Sequence, residues 1–271
     1  MLQSSSKIRV EAGNTNSDIC NIELLTAATR ESPRIINGHM KEILNMNWTS
    51  VVDSLNSNGY AIIPNVLSPE ECRHFSGLYE DNNLYRNVIN MQRYRFGQGE
   101  YKYFNYPLPP SIQALREILY SPLAIVANDW MRKLGTEVKF PSSHAELINR
   151  CRQQQQNRPT PLILRYESGG FNTLHQDLYG EVYFPFQAVF VLSHKGRDHE
   201  GGELVLTEQV PRAQSKVQVL QPGQGDAVIF TTNFRPILGT KGYYRAKMKH
   251  GVSEVKKGTR YSLGIIFHDA A

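Results

Sequence analysis

The sequence predicts an α+β chain whose core is mainly β, a two-sheet barrel with a helical region packed on it. Three observations carry that expectation. From Leu162 to Phe267 the chain runs as short apolar stretches separated by glycine turns, as in Gly201-Gly202 before Leu204-Val205-Leu206-Thr207 and Gly223-Gln224-Gly225-Asp226 before Ala227-Val228-Ile229-Phe230. Ahead of these, apolar residues recur at helical spacing between Pro110 and Leu134. A length of 271 residues with 40% hydrophobic content is enough for one large domain with its own core.

Residues 1–45 are rich in Ser, Asn and Thr and read as an N-terminal tail or short helix. Residues 46–271 read as a single domain, divided into a helical support region over 46–161 and the barrel core over 162–271. An amphipathic segment from Asn47 to Leu55 leads into Asn58-Gly59-Tyr60-Ala61-Ile62-Ile63, a turn followed by a buried strand. Ser68-Pro69-Glu70-Glu71 then supplies an N-cap serine, a proline at the first helical position and an acidic first turn, so a helix should run to about Tyr79. Between Pro110 and Leu134 the spacing predicts two packed helices, broken near Ser121-Pro122 because proline disfavours the helical conformation of the residue before it. The stretch Asn149 to Pro161, with Gln153-Gln154-Gln155-Gln156 and two prolines, reads as a surface loop or the frayed end of a helix. No internal repeat is visible.

The three cysteines, Cys20, Cys72 and Cys151, are far apart and form no C-x-x-C pair, which argues against a disulfide framework or a zinc knuckle. Met1-Leu2-Gln3-Ser4-Ser5-Ser6-Lys7 has no apolar core of a signal peptide, and no later run has the length of a membrane span. A soluble, cytoplasmic protein in a reducing compartment is expected, without a membrane partner. The net charge of +5 is compatible with an anionic partner and selects none.

Chemistry concentrates at four positions. His175 and Asp177 are two residues apart in Phe171-Asn172-Thr173-Leu174-His175-Gln176-Asp177, so on a strand both side chains leave one face and can share a metal. His250, in Lys247-Met248-Lys249-His250-Gly251, is far enough along the chain to return on another strand as a third ligand. Two imidazoles and a carboxylate form the facial triad of non-haem Fe(II), which leaves positions open for a cosubstrate and O2. Arg260 follows ten residues later at the head of Arg260-Tyr261-Ser262-Leu263-Gly264-Ile265-Ile266-Phe267, where a guanidinium can grip a carboxylate in bidentate fashion. The fitting ligand is 2-oxoglutarate, its keto-acid end toward the metal and its far carboxylate on Arg260. A lone His-x-Asp is a weak signal; the combination is what points to catalysis.

Arg165-Tyr166-Glu167-Ser168-Gly169-Gly170-Phe171, the two glycine turns and the ten-residue step from His250 to Arg260 resemble the prolyl-hydroxylase-like branch of the Fe(II)/2-oxoglutarate dioxygenase superfamily. That resemblance implies a double-stranded β-helix (jelly roll), with Fe(II), 2-oxoglutarate and O2 as cofactor and cosubstrates and Tyr166 beside the 2-oxoglutarate. From about residue 58 onward, Arg95-Phe96-Gly97-Gln98-Gly99-Glu100-Tyr101, Leu174-His175-Gln176-Asp177-Leu178-Tyr179-Gly180, Leu206-Thr207-Glu208-Gln209 and Gly264-Ile265-Ile266-Phe267-His268-Asp269 resemble a prokaryotic oxygenase family described as acting on damaged nucleic acid. One departure stands out. AlkB-type demethylases carry two arginines six residues apart after the distal histidine, whereas the position six beyond Arg260 is Ile266.

Two basic and aromatic stretches bear on the substrate. In Lys241-Gly242-Tyr243-Tyr244-Arg245-Ala246-Lys247-Met248-Lys249, cations and rings alternate just before His250, so Lys241, Arg245, Lys247 and Lys249 are candidates for an anionic strand at the mouth of the site. Asn233 and Arg235 are expected at the same entrance. The second stretch is Arg93-Tyr94-Arg95-Phe96 with Tyr101-Lys102-Tyr103-Phe104, cations for phosphates and rings for unstacked bases, unless the rings pack inward. Three readings follow: oxidative demethylation of a methylated base in DNA or RNA, hydroxylation of a prolyl or other protein side chain, and a non-catalytic cupin-like binding module.

Overall fold

A computed structural model describes Ile43 and residues 46–271. The tail expected over residues 1–45 lies outside the described residues, apart from Ile43. Helix α1 (Trp48–Asn58) starts on the Asn47 side chain, which accepts from the Thr49 amide, and stops at Gly59, whose positive φ of 78° no side-chain-bearing residue adopts cheaply. After strand β1 (Tyr60–Ile63), helix α2 (Pro69–Gly77) opens with the predicted signals and a full capping box between Ser68 and Glu71. A 3-10 turn over Leu78–Glu80 carries it on to the expected end.

The next segment adds strands to the support region that were not expected there. Strand β2 (Tyr85–Asn90), the short helix α3 (Met91–Tyr94), strand β3 (Gly97–Gln98) and strand β4 (Glu100–Phe104) come before the long helices, and β2 and β4 pair in an antiparallel ribbon. Alternation of rings and cations here is strand periodicity, with Tyr103 and Phe104 buried and Lys102 buried against the Tyr79 carbonyl oxygen and the Asn82 side chain.

Helix α4 (Pro110–Lys133) runs unbroken through Pro122, where two helices were expected. An interior proline costs about 3 kcal/mol through its missing N–H and its clash with the preceding turn. Against that stand Ile118, Leu119, Tyr120, Leu123, Val126 and Trp130, all buried on one continuous stripe. Each buried side chain contributes on the order of 1.5–3 kcal/mol, so keeping the stripe straight outweighs the proline. Helix α5 (His144–Gln153) ends within the stretch read as a surface loop or the end of a helix, and beyond it Gln156 is buried, its amide bonded to Val182 and to the Asp269 carbonyl oxygen.

The rest of the chain is strand: β5 (Leu162–Tyr166), β6 (Phe171–His175), β7 (Phe186–Val191), β8 (His199–Gly201), β9 (Leu204–Gln209), β10 (Lys216–Leu220), β11 (Ala227–Thr231), β12 (Phe234–Gly239), β13 (Gly242–Val252), β14 (Val255–Gly258) and β15 (Arg260–Ile266). They build a seven-stranded sheet in the order β1-β11-β7-β15-β5-β4-β2 and a six-stranded sheet in which β10-β9-β13-β6-β3 run side by side and β12 pairs with β13. All these pairings are antiparallel.

Period-2 alternation decides what each face of the larger sheet does. Ile163 on β5, Phe186, Ala188 and Phe190 on β7 and Leu263 and Ile265 on β15 join α1, α2, α4 and α5 in one apolar core. Their neighbours in sequence, Leu164, Tyr166, Gln187, Val189, Arg260 and Ser262, face the other way and line a cavity shared with the six-stranded sheet. Behind the cavity the C-terminal segment is fixed by a fully buried ion pair between Arg116 and Asp269, at 2.7 Å. Among the described residues no helix is long and apolar enough to cross a membrane.

Candidate metal centre

His175 ends β6 and His250 lies near the end of β13, and the two are direct partners across the antiparallel pair. Residues directly opposite each other on one face have Cβ atoms about 5 Å apart, so the imidazoles must meet; their ring centroids are 4.2 Å apart. Asp177 is not on the strand, as the two-residue spacing suggested, but just beyond its end. Its Oδ2 is 3.2 Å from His250 Nε2 and its Oδ1 is 3.6 Å from His175 Nε2. One donor atom from each of the three residues lies within 4.8 Å of the others. Two donors at about 2.1 Å from one ion, on adjacent octahedral positions, are about 3 Å apart, so this group needs only small closing movements to hold a metal.

The surrounding hydrogen bonds suit that use. The Thr173 carbonyl oxygen can only accept, so His175 Nδ1 donates to it across 2.7 Å and Nε2 keeps its lone pair toward Asp177. The Tyr179 hydroxyl donates to Asp177 Oδ1 at 2.6 Å, and the Tyr103 hydroxyl donates in turn to Tyr179 at 3.0 Å. Asp177 Oδ2 is thereby left on the His250 side. Burial pushes the Asp177 carboxyl upward, but the nearby His250 and His175 rings and the bonds from His250 and Tyr179 outweigh it and hold the group well below the usual carboxylate range. Burial, then the neighbouring His250, lowers His175, keeping it neutral. Both directions favour the protonation states a metal requires.

Gln176, between the two ligands, donates from its amide to the Met248 and Asn233 carbonyl oxygens and to Asn233 Oδ1. It ties the ligand loop to β13 two residues before His250.

On the opposite wall, Arg260 begins β15 in register with Tyr166 on β5. Its side chain is buried, donates from Nη1 to Ser262 Oγ at 3.2 Å and lies 5.8 Å from the centre of the Tyr166 ring. Burial pulls the guanidinium below its ordinary range, with partial relief from Tyr166 and from the nearby carboxylate of Glu203. That carboxylate is committed to Lys195 and Ser253. Among the described residues no carboxylate is within ion-pair distance of Arg260. Leaving a charge buried and unpaired costs several kcal/mol, so this wall is built to receive an anion. Gly202 makes room for it: a Cβ there would fall 2.7 Å from Arg260 Cδ, at a positive φ of 71°.

The cavity between these walls holds about 210 Å³. The metal-binding group and Arg260 line it from opposite sheets, with apolar Leu162, Leu164, Val189, Leu204 and Ile266 between them. Tyr166 is wholly buried in the same lining and its hydroxyl accepts from the Asn172 amide at 3.3 Å. Ser262, Tyr179 and Tyr103 were missed by the sequence reading. A signal was present for one of them, because Ser262 follows Arg260 by two residues on a strand.

The expected substrate residues are placed elsewhere. None of Lys241, Arg245, Lys247, Asn233 or Arg235 lines the cavity. On β13 the even-numbered Ala246, Met248 and His250 are buried and the odd-numbered Arg245, Lys247 and Lys249 are exposed, so strand alternation turns these cations to the outer face. Arg245 lies over the Phe234 ring at 4.8 Å, and Lys241 sits at the exposed turn of the β12–β13 hairpin. Arg235 is buried in an ion pair with Glu208 at 2.5 Å and also donates to the Asn56 carbonyl oxygen, which makes it a structural residue. Asn233 is spent on Gln176 and so positions the ligand loop.

Residues 99–270 match the model of a family described as "Oxygenase, catalysing oxidative methylation of damaged DNA". Proteins from two strains of Mycobacterium tuberculosis, both described as uncharacterized, are 43% identical over 168 residues, 62% of this chain and 72% of theirs. Among solved structures, a Pseudomonas putida prolyl-4-hydroxylase is similar at 15% identity and a TM-score of 0.47, covering 83% of this chain and all of that one. An oxidoreductase of the 2OG-Fe(II) oxygenase family from Burkholderia pseudomallei is similar at 16% identity and a TM-score of 0.48, covering 84% of this chain and 93% of that one.

Proposed function

The chain belongs to the oxygenase family described as catalysing oxidative methylation of damaged DNA, and from that premise we propose an Fe(II)/2-oxoglutarate-dependent dioxygenase that hydroxylates the methyl carbon of a methylated base in DNA or RNA. The observation that carries this reading is the facing arrangement: His175, Asp177 and His250 on one wall and the buried, unpaired Arg260 on the other. A keto-diacid is the small ligand with a chelating end and a charged end to match both. The two antiparallel sheets enclosing the site support a double-stranded β-helix, or jelly roll.

His175, Asp177 and His250 would hold the iron, and Arg260 with Ser262 would hold the far carboxylate of 2-oxoglutarate, with Tyr166 beside it. When bound, the iron and its cosubstrate supply activation of O2 and oxidation of a C–H bond, with succinate and carbon dioxide as coproducts. The chain's own part is placement and exclusion of water. Tyr179 and Tyr103 occupy Asp177 Oδ1 and would leave Oδ2 for the ion, Gln176 and Asn233 lock the ligand loop, and the apolar lining would strengthen the pull of Arg260 on an anionic partner. Hydroxylation at the carbon of an N-methyl group gives N–CH2OH, whose C–N bond breaks to release formaldehyde and return the nitrogen to N–H, which leaves the base repaired. The buried free thiols Cys72 and Cys151 suit a reducing compartment such as the cytoplasm, as does ferrous iron.

The test is succinate release by the ferrous protein given N-methylated oligonucleotides, proline-containing peptides or no substrate. The expected result is stimulation above the substrate-free rate by a methylated oligonucleotide, with formaldehyde formed in step. Stimulation by a peptide alone would reassign the enzyme to protein side-chain hydroxylation. No succinate under any condition would favour a binding module.

A further inference from the structure

One motif reaches the cavity only through its last residue, Phe96, and otherwise lies outside it: Arg93-Tyr94-Arg95-Phe96. It spans the last two residues of α3 and the turn into β3, and its rings do not pack inward. Tyr94 is 56% exposed and Phe96 46% exposed, and the two rings lie nearly parallel, 18° apart in plane with centroids at 5.5 Å. Apolar rings of this size held in water are costly unless something covers them. The hydrophobic effect alone would bury them, as it does Tyr103 and Phe104 a few residues on.

The pair is fixed relative to the metal-binding residues. The Phe96 carbonyl oxygen accepts from both the amide and the hydroxyl of Thr173, each at 2.8 Å, and β3 continues the contact by pairing with β6. Thr173 is two residues before His175 on that strand, or about 7 Å along it. Phe96 itself lines the rim of the cavity. Arg95 holds a left-handed conformation, with φ of 61°, that turns the chain between the two rings.

Charge selects the occupant. Arg93 and Arg95 flank the rings, both exposed, and among the described residues neither makes an ion pair. In the adjoining groove the carboxylates of Glu100 and Glu167 are engaged by Tyr79 and Arg165. Stacked rings with free guanidiniums suit bases that have left a duplex stack and the phosphates between them.

We propose that the Tyr94–Phe96 pair, with Arg93 and Arg95, is a stacking platform for single-stranded nucleic acid beside the oxidising site, so that a base held on it sets its neighbour at the cavity mouth. This rests on the nucleic-acid reading above and narrows it to unpaired strands. The platform, and not the cations of β13, makes the strand contacts.

The experiment is fluorescence anisotropy of a fluorescein-labelled oligothymidylate titrated with the full chain. Tyr94→Ala should weaken binding by roughly 10- to 100-fold, the loss expected for one base-stacking ring, whereas Tyr94→Trp should retain it. Replacing both Arg93 and Arg95 with Gln should reduce the slope of log K against log salt concentration by about 1.4, two single-strand phosphate contacts. If the parent binds the oligonucleotide and Tyr94→Ala binds it equally well, the platform is wrong while the nucleic-acid reading stands. If the parent binds no oligonucleotide, or binds poly-L-proline in preference, that reading fails with it. Tighter binding of a duplex of the same length would overturn the single-strand assignment.

Discussion

Asp177→Ala is expected to leave a folded protein that no longer retains a divalent metal and releases no succinate above the enzyme-free background. The carboxylate is the only negative charge in the cluster, and without it only two imidazoles remain, one of them, His250, with a buried Nδ1 that has no partner among the described residues. Losing a partner that merely hydrogen-bonds to a ligand costs roughly 10- to 100-fold in metal affinity, and losing the ligand itself should cost more. Calorimetric titration with Mn(II), a redox-silent probe, measures the first effect and a succinate assay the second. The two must fall together. Parent-like turnover by the Asp177 variant would remove this carboxylate from the site.

Arg260→Ala separates the second wall from the first. The metal should still bind with parent affinity, because Arg260 lies on the opposite sheet from the His175–His250 pair. The concentration of 2-oxoglutarate needed for half-maximal succinate release should rise by about 100-fold or more, the sum of two charge-assisted hydrogen bonds at about 1.5–3 kcal/mol each. Stability should not suffer, because the substitution removes a buried charge that has no carboxylate partner among the described residues. Arg260→Lys should recover only part of the affinity, since an ammonium cannot present the fork that matches a carboxylate. An unchanged half-saturation in Arg260→Ala would leave the guanidinium without a role in cosubstrate binding.

How much of this was legible in the sequence depends on the range of the interaction involved. The His175, Asp177, His250 and Arg260 set stood out as a combination of residue types, two imidazoles, a carboxylate and a cation near glycine turns, and not through strand period alone, since β6 ends at His175. The structure brings these four around one cavity, although Asp177 reaches it from a loop. The same period, applied to β13, would have turned Arg245, Lys247 and Lys249 away from His250, since odd and even positions face opposite sides. Composition near a ligand is a poorer guide than parity.

Other features had no local signal. Arg235 is neutralised by Glu208 from β9, and the Arg116–Asp269 pair joins residues 153 positions apart, pairings that only the folded topology creates. Pro122 misled because a local rule met a larger non-local term, the buried stripe on both sides of it. The strands β2 to β4 were hidden in a stretch read for its charges and rings. There the sequence held two outcomes at once, with Tyr103 and Phe104 going inward on β4, which pairs with β2 and β5, and Tyr94 and Phe96 staying out at the turn before β3.

One cavity should bind a metal on one wall and a dicarboxylate across both. Titrating 2-oxoglutarate anaerobically into the full chain, with and without Mn(II), tests it most directly. Binding on the two walls must be linked, and linkage is reciprocal: Mn(II) should tighten 2-oxoglutarate, and 2-oxoglutarate should tighten Mn(II) by the same factor. Equal 2-oxoglutarate affinity with and without the metal would contradict a shared site.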